Sequence, residues 1–140
     1  MFATLFTDGA SRGNPGPAGA GVLIKKGDQI VDELRVFLGT KTNNEAEYMA
    51  VILGLECAHM HKFKYIKVYS DSQLLVKQLQ GTYKVKAPTL QPLFAKAKEI
   101  LSGFDSVEFL WIPREQNTRA DALANEAIDE QNRQSSHKTL

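Results

Sequence analysis

Four acidic residues stand at points where the sequence predicts that a strand ends or a helix begins. Asp8 and Asp71 each follow a strand-like run. Glu47 and Asp121 each lie in the first turns of a predicted helix. Carboxylate oxygens, without histidine or cysteine, suit hard divalent cations such as Mg²⁺ and Mn²⁺, which favour phosphate oxygens as additional ligands. Two such ions roughly 4 Å apart can stabilise both the attacking and the leaving oxygen of an in-line displacement, so the four residues predict metal-dependent phosphoryl chemistry.

Each of these acids also has an ordinary structural explanation. Asp8 can belong to a turn with the glycine that follows it, and Asp71 can be a helix N-cap. Asp121 can complete a capping box that begins at Thr118, and Glu47 can be a solvated helix residue. We favour the functional interpretation because all four acids face one predicted edge of the sheet, while the positions around them are apolar.

The first three strands are predicted from β-branched and aromatic runs. They cover Phe2 to Thr7, Gly19 to Lys25 and Gln29 to Leu38, and the last two flank a short hairpin connection at residues 26–28. Connections of this length join antiparallel strands. We therefore expect an antiparallel meander, with Asp8 at the end of its first strand.

The rest of the chain alternates helical and strand-like patterns. Thr42 to Glu45 has the spacing of a capping box and precedes a largely apolar helix. Asp71 and Ser72 then open a short helix that extends to Leu79. The other predicted elements are a strand at Tyr65 to Ser70, a helix at Pro88 to Leu101, a strand at Val107 to Ile112 and a final helix around Ala120 to Ile128. The predicted order is βββαβααβα.

The crossover from the first strands through a helix to the fourth strand decides where two of the acids lie. Strands joined in this way are parallel if they share a sheet. Asp8 and Asp71 would then emerge side by side, on strands roughly 4.8 Å apart. Two ionised carboxylates at that spacing repel each other unless a cation neutralises them or one carboxyl keeps its proton. A bound divalent cation is the explanation that we favour.

The length and charge of the chain restrict its class. The 140 residues suffice for one compact domain with its own core. We expect this domain to span residues 1–128, and we expect residues 129–140, which are polar and without periodicity, to form a disordered tail. The formal net charge is only +1, which excludes a protein that holds nucleic acid mainly by bulk charge. Any contact with nucleic acid must therefore be local.

Cysteine content and hydropathy bear on the compartment. Cys57 is the only cysteine, so no intramolecular disulfide is possible, and we expect a buried free thiol in a reducing compartment. A single cysteine also argues against a metal bound through sulfur. The opening residues lack a basic segment followed by an apolar run, and no stretch reaches the roughly 18 apolar residues that span a bilayer. We expect a cytoplasmic monomer that does not associate with membranes and has no obligate protein partner.

Four motifs, in order, resemble those of the type 1 ribonuclease H family across residues 1–128. They are Thr7-Asp8-Gly9 followed by Gly13-Asn14-Pro15-Gly16, then Thr42-Asn43-Asn44-Glu45-Ala46-Glu47, Ser70-Asp71-Ser72-Gln73, and Arg119-Ala120-Asp121-Ala122-Leu123-Ala124. Their order and their places on the predicted elements make the resemblance specific.

The resemblance implies an α/β, ribonuclease H-like fold with a mixed sheet of five strands, three antiparallel and then two parallel, flanked by helices. It implies an endonuclease that hydrolyses the RNA strand of RNA–DNA hybrids with two Mg²⁺ or Mn²⁺ ions, leaving 5′-phosphate and 3′-hydroxyl ends. Asp8 would bridge both ions and Asp121 would serve the ion on the nucleophile side. Glu47 and Asp71 would serve the ion on the leaving-group side.

The resemblance also supplies candidate substrate-binding residues. The positions that match hybrid-contacting residues of the family are Ser11, Asn14, Thr42, Asn43, Asn44 and Gln73. Amide side chains and loop backbone groups can recognise a 2′-hydroxyl, because that group both donates and accepts hydrogen bonds. The asparagines have an alternative role, since Asn is common in turns and near helix starts.

The sequence departs from the well-studied bacterial enzymes of the family in two places. The loop before the last helix has no histidine and instead carries Arg114, as in the archaeal-type branch. Arg114 would organise the scissile phosphate or assist product release, or it forms a surface salt bridge. The segment from Leu79 to Thr89 lacks the basic, Trp-rich protrusion of the bacterial enzymes, so we expect weak substrate affinity. We also expect distributive cleavage, because we expect no separate hybrid-binding domain before the catalytic one.

Two other functions remain open on the sequence. One is another nuclease on the same scaffold, such as a junction resolvase, and the other is a catalytically silent hybrid-binding module. The Asn43-Asn44 pair and Gln73 argue against the first, and the intact set of four acids argues against the second. Phe109 and Trp111 alternate along the last strand, and we expect both in the core rather than in a base-stacking platform.

Overall fold

A computed structural model describes residues 2–138 of the chain, with side chains described up to residue 134. Its strands are β1 (Phe2–Ser11), β2 (Gly16–Lys26), β3 (Gln29–Lys41), β4 (Tyr65–Ser70) and β5 (Ser106–Trp111). Its helices are α1 (Asn43–Met60), α2 (Gln73–Leu79), α3 (Gln91–Leu101) and α4 (Thr118–Lys138), with a single 3₁₀ turn at Arg114–Gln116 before α4. The predicted order βββαβααβα is confirmed.

The five strands form one mixed sheet in the order β3-β2-β1-β4-β5. β1 pairs with β2 and β2 with β3 in antiparallel fashion, whereas β1 with β4 and β4 with β5 are parallel. The predicted fold class and the predicted parallel pairing of the first and fourth strands are confirmed. Parallel pairing requires the crossover that α1 provides between β3 and β4.

The helices cover the two faces of the sheet. Val22 of β2 lies against Gly54 of α1, whereas the adjacent Gly21 lies against α4, and successive strand residues point to opposite faces. A Cβ on Gly21 would be 2.0 Å from the carbonyl oxygen of Ala120, so only glycine permits this close approach of α4. The largest fully buried apolar side chains lie on β1, β2, β4, α1 and α4; they are Tyr48, Leu5, Ile24, Leu55, Ile66, Ile128, Val22, Val51 and Val68.

The first three strands extend further than predicted. β1 continues past Thr7 to Ser11, because Asp8 to Ser11 keep pairing with β2 after the pairing with β4 has ended at Thr7 and Ser70. The prediction that Asp8 ends its strand is therefore wrong. Asp8 is nevertheless the first residue of β1 beyond the part paired with β4, and Asp71 is the first residue after β4. The two acids still leave the parallel part of the sheet together.

Two helix bounds also differ from the predictions. α3 begins at Gln91 rather than at Pro88, with Pro92 in its first turn, where the missing N–H is not needed. α4 continues well past Ile128 to Lys138, so the prediction of disorder is wrong for residues 129–138. Residues 139 and 140 lie outside the described residues.

Two ion pairs join the polar part of α4 to the rest of the domain. Asp129 accepts from Arg12, just after β1, at 2.6 Å, and Glu130 pairs with Arg35 of β3 at 2.9 Å. These partners lie far away in the sequence, which leaves no local pattern to reveal them. Within residues 2–138, no helix combines the length and the apolar character needed to cross a membrane.

Candidate active site

Three of the predicted acids converge where β1 and β4 end their parallel pairing. One carboxylate oxygen each from Asp8, Glu47 and Asp71 lies within 4.8 Å of the other two. We call these three residues the carboxylate cluster. Asp8 is 6% exposed and Glu47 is 9% exposed, so two of the three charges are taken almost entirely out of water. Three acids at this spacing are unfavourable unless protons or cations compensate them.

The start of α1 positions Glu47. Thr42 caps the helix by accepting from the Glu45 N–H, and the Glu45 side chain accepts from the Thr42 N–H, so the predicted capping box is present. Glu47 accepts a short hydrogen bond from the Gly9 N–H of β1. A Cβ on Gly9 would lie 2.1 Å from the Ala46 carbonyl carbon. Glycine at this position therefore allows α1 to approach β1 closely enough for Glu47 to join Asp8.

The end of β4 positions Asp71. The N-cap of α2 is Ser72, whose hydroxyl accepts from the Leu75 N–H at 3.2 Å. The alternative that Asp71 serves as an N-cap is therefore wrong. Its carboxylate instead accepts from the Asn117 side-chain amide at 3.3 Å and faces the other two acids.

The fourth predicted acid, Asp121, lies in the first turn of α4 and lines the same cleft of about 420 Å³ as the carboxylate cluster. It is outside the closest group of carboxylates, but its side chain contacts that of Asp8. Arg114 lies 3.7 Å from Asp121 and is 78% exposed, so its guanidinium reaches the cleft from solvent. The cleft is lined by Asp8, Gly9, Ala10, Ser11, Arg12, Asn43, Asn44, Glu47, Asp71, Ser72, Arg114, Asp121 and Asn125.

Burial governs the protonation of the cluster. It raises the pKa of Asp8 well above that of an ordinary aspartate, and the negative charges of Glu47 and Asp71 raise it further. Burial also raises the pKa of Glu47, while the hydrogen bond from the Gly9 N–H opposes that effect. Without a cation, the cluster therefore retains a proton near neutral pH. An oxygen-only donor set that gains so much from positive charge fits hard divalent cations.

Some of the candidate substrate-binding residues line the cleft, and others do not. Ser11, Asn43 and Asn44 line the cleft, and the Ser11 N–H donates to the Asn43 side chain at 3.1 Å. Asn14 is joined to them because its side chain accepts from the Asn43 N–H at 3.1 Å. Thr42 caps α1, so its side chain has a structural role there. Gln73 begins α2 as an exposed residue and is not among the residues that line the cleft.

Sequence reasoning missed Asn117, which precedes α4. Its side chain is buried, with 1% exposure for the residue, and its amide donates to the Thr7 carbonyl at 2.9 Å as well as to Asp71. Asn117 thus ties the loop before α4 to both β1 and Asp71. Asn near a helix start normally suggests only a cap. Its partners lie far away in the sequence. The only signal in the sequence was the general preference of buried amides for hydrogen-bond partners.

Trp111 differs from the prediction for the last strand. Phe109 is buried at 7% exposure, as expected, but Trp111 is 45% exposed, so the prediction that it belongs to the core is wrong. Trp111 ends β5, an edge strand of the sheet, and its indole N–H donates to the Asp71 carbonyl at 3.2 Å. It therefore forms part of the rim beside the carboxylate cluster and holds the backbone of Asp71.

Comparison with known proteins gives matches along most of the chain. A family model described as reverse transcriptase-like matches residues 6–127. Ribonuclease HI of Halobacterium salinarum is 48% identical over 126 residues, which are 89% of this chain and 63% of that protein. The bifunctional protein Rv2228c of Mycobacterium tuberculosis is 41% identical over 131 residues, covering 92% of this chain and 36% of that protein. The chain thus spans less than two thirds of these curated relatives.

Solved structures agree in fold and sequence. RNase H1 from Halobacterium salinarum superposes with a TM-score of 0.90 at 46% identity, covering 93% of this chain and 99% of that one. LC11-RNase H1, solved in complex with an RNA/DNA hybrid, superposes with a TM-score of 0.87 at 46% identity, covering 91% of this chain and 97% of that one. With the matched family model, these relatives show that the chain belongs to the type 1 ribonuclease H family.

Proposed function

We propose that this chain is an endonuclease that hydrolyses the RNA strand of RNA–DNA hybrids and leaves 5′-phosphate and 3′-hydroxyl ends. The observation that carries the proposal is the convergence of Asp8, Glu47 and Asp71 within 4.8 Å in a cleft that Asp121 also lines. A second support is the similarity to LC11-RNase H1, whose structure was solved in complex with an RNA/DNA hybrid.

The residues of the cleft fit a pair of divalent cations. Asp8, Glu47, Asp71 and Asp121 would hold two Mg²⁺ or Mn²⁺ ions, with Asp8 shared between them. When bound, such ions activate a water molecule and neutralise charge that develops on the phosphate oxygens. The raised pKa of Asp8 supports the assignment, because a carboxyl group in this environment gains most when a cation replaces its proton.

The substrate side of the cleft supports recognition of the sugar. The oxygen of the Asn43 side chain accepts from the Ser11 N–H, so its amide hydrogens remain as donors at the cleft. The Asn14 side chain supports the Asn43 backbone from the neighbouring turn. A 2′-hydroxyl accepts from such an amide and donates to a loop carbonyl, whereas deoxyribose does neither. Asn14 and Asn43 together would thus favour an RNA strand over a DNA strand.

Arg114 would act on the phosphate rather than on the sugar. Its guanidinium is exposed and lies 3.7 Å from Asp121, close enough to the cleft to contact a bound phosphodiester. A guanidinium remains charged and binds phosphate oxygens in a bidentate manner. It would therefore orient the scissile phosphate or help the product to leave.

The cellular setting is part of the same proposal. Residues 1–128 contain every residue assigned to the cleft, and residues 129–140 would be a C-terminal appendage. The protein would act as a cytoplasmic monomer without an obligate protein partner. A free Cys57 is consistent with a reducing compartment.

The test is cleavage of an end-labelled RNA–DNA hybrid, beside matched single-stranded RNA, duplex DNA and branched DNA, with Mg²⁺ or Mn²⁺. Asp8→Asn removes one carboxyl group of the carboxylate cluster, and Asp28→Asn removes an exposed charge in the turn between β2 and β3. The proposal predicts that wild type and Asp28→Asn cut only the RNA of the hybrid and that Asp8→Asn does not. Cleavage of duplex or branched DNA instead of hybrid would assign the scaffold to another nuclease class. Binding of hybrid without cleavage would make it a silent hybrid-binding module.

A further inference from the structure

A second group of metal-ligand side chains lies outside the cleft, between the edge strand β3 and the last turn of α1. Asp32 of β3 stands 3.4 Å from the Cys57 thiol and 3.1 Å from His61 Nε2, both measured from Asp32 Oδ2. One ligand atom from each of the three residues lies within 4.8 Å of the other two. We call these residues the mixed cluster. Glu47 and Cys57 are ten positions apart on α1, which corresponds to about 15 Å of helix.

We propose that Asp32, Cys57 and His61 form a binding site for a thiophilic divalent cation of the zinc class, with water as the fourth ligand. The donor set is one carboxylate oxygen, one sulfur and one imidazole nitrogen, which suits Zn²⁺ and disfavours Mg²⁺. The site is independent of the proposed nuclease activity. It also replaces the expectation that a single cysteine argues against a metal bound through sulfur, because the fold supplies the other two ligands.

The distances agree with a tetrahedral ion. Bonds of about 2.0 Å to oxygen and nitrogen and about 2.3 Å to sulfur place two such ligands roughly 3.3 Å apart when neither is sulfur, and roughly 3.6 Å apart when one is. The observed separations are 3.1 Å for the oxygen and nitrogen and 3.4 Å for the oxygen and sulfur. Both are about 0.2 Å short of the tetrahedral values, and all three ligand atoms lie within 4.8 Å of one another, which is close enough for them to share one ion.

The backbone already orients two of the ligands. His61 is the C-cap of α1, and its N–H donates to the Cys57 carbonyl at 3.1 Å, so the two side chains leave the same face one turn apart. The second oxygen of Asp32 accepts from the Glu33 N–H at 2.9 Å. Hydrogen bonds of this kind to the non-ligating atoms of a metal ligand fix its orientation. Asp32 and His61 are each 37% exposed, which gives an ion a path from solvent.

Charge also balances at this site. A thiolate, a carboxylate and a neutral imidazole carry two negative charges, which one divalent ion neutralises. Binding therefore displaces one proton from the thiol to solvent and leaves the imidazole uncharged. The ion would clamp the end of α1 to β3, which lies at the edge of the sheet.

Co²⁺ is the probe that tests the site directly. Cys57 is the only cysteine, so a near-ultraviolet thiolate-to-cobalt charge-transfer band in untagged protein reports this site alone. In saturating Mg²⁺, which would occupy the carboxylate cluster, we expect the band to saturate at one Co²⁺ ion per chain and to disappear when Zn²⁺ displaces Co²⁺. Cys57→Ser should abolish the band, and His61→Ala should weaken the Co²⁺ binding that the band reports at least about tenfold. Two matched controls, His59→Ala and Asp28→Asn, should form the band with a Co²⁺ affinity within about twofold of wild type, because His59 packs on Phe104 and Asp28 is exposed in the turn between β2 and β3.

A second measurement covers variants that fold poorly. In saturating Mg²⁺, which would occupy the carboxylate cluster, Zn²⁺ should raise the melting temperature of wild type and of His59→Ala, and it should leave that of Cys57→Ser unchanged. The proposal is overturned if no charge-transfer band forms with wild type. It is equally overturned if the band persists unchanged in both Asp32→Asn and His61→Ala, since the thiolate would then bind the ion alone.

Discussion

The carboxylate cluster and the mixed cluster lie toward opposite ends of α1, yet they differ in the cost of remaining without metal. The carboxylate cluster brings together three acids, and burial and mutual repulsion raise the pKa of Asp8. In the mixed cluster, the hydrogen bond from His61 lowers the pKa of Asp32, so its members satisfy one another without an ion. Ligand atoms lie close together at both sites. Only at the carboxylate cluster does charge repulsion between buried acids favour a bound cation.

The two proposed sites would hold different metals at the two ends of α1. Oxygen donors alone select hard ions that keep water and bind phosphate, whereas sulfur and imidazole select softer ions. Changes at one cluster should leave the other intact, because about 15 Å of helix separates them.

Among substitutions that are not at Asp8, Glu47→Gln is expected to have the largest effect. Removing this charge should lower the rate of hybrid cleavage by about 10³-fold, because several kcal/mol of charge stabilisation by bound ions depend on the ligand set. The matched control is Glu45→Gln, two residues earlier on α1, since glutamine also completes a capping box. Single-turnover cleavage of labelled hybrid measures both. Equal losses in the two variants would show that the charge of α1, rather than the position of Glu47, is what matters.

Asn117→Ala should have the next largest effect. Losing the amide that holds Asp71 should reduce activity about 10- to 100-fold and increase the Mg²⁺ concentration needed for half-maximal rate. It should also lower the free energy of unfolding by about 1 to 3 kcal/mol, because the Thr7 carbonyl loses its buried partner. Metal titration of the rate, with denaturant unfolding alongside, separates the two effects. A stability loss without any change in metal dependence would limit Asn117 to a structural role.

The pH dependence of stability should reveal the carboxylate cluster in metal-free protein. The pKa of Asp8 rises from 3.8 to about 10 on folding, so the folded state binds this proton more tightly than the unfolded state does. The resulting stabilisation is fully present below pH 3.8 and is lost as pH rises through about 10. In EDTA, the melting temperature of Asp8→Asn should therefore exceed that of wild type by a margin that grows with pH. A constant difference between about pH 5 and about pH 9 would contradict the raised pKa.

The smallest effect is expected from Cys57→Ser. This substitution removes the sulfur of the mixed cluster and should leave Mg²⁺-dependent cleavage of hybrid within about twofold of wild type. The measurement is the same single-turnover assay with EDTA-treated protein to which only Mg²⁺ is returned. A large loss would show that the two clusters are coupled through α1.

Sequence patterns were sufficient for features that depend on local periodicity and chain topology. The strand and helix order, the capping box at Thr42 and the neighbouring positions of Asp8 and Asp71 follow from these alone. The end of β1 was predicted wrongly from its turn-forming residues. Continued pairing with β2 outweighs the turn preference of Asp8 and the glycine that follows it.

Features that depend on distant partners could not be read from the sequence. Asn117 bonds to Thr7 and Asp71, and Asp32 meets Cys57 only through the packing of α1 against the sheet. In the same way, Asp129 and Glu130 of α4 pair with Arg12 and Arg35, which lie far away in the sequence. No local pattern encodes such contacts, so the fold had to be known first.

The carboxylate cluster is the proposed site of hydrolysis. The decisive experiment is single-turnover cleavage of an RNA–DNA hybrid by wild type and by Asp8→Asn in saturating Mn²⁺, with hybrid binding measured in parallel. We predict that the substitution slows cleavage by at least about 10³-fold while hybrid affinity stays within about tenfold of wild type. Cleavage by Asp8→Asn at a rate close to that of wild type would contradict the account.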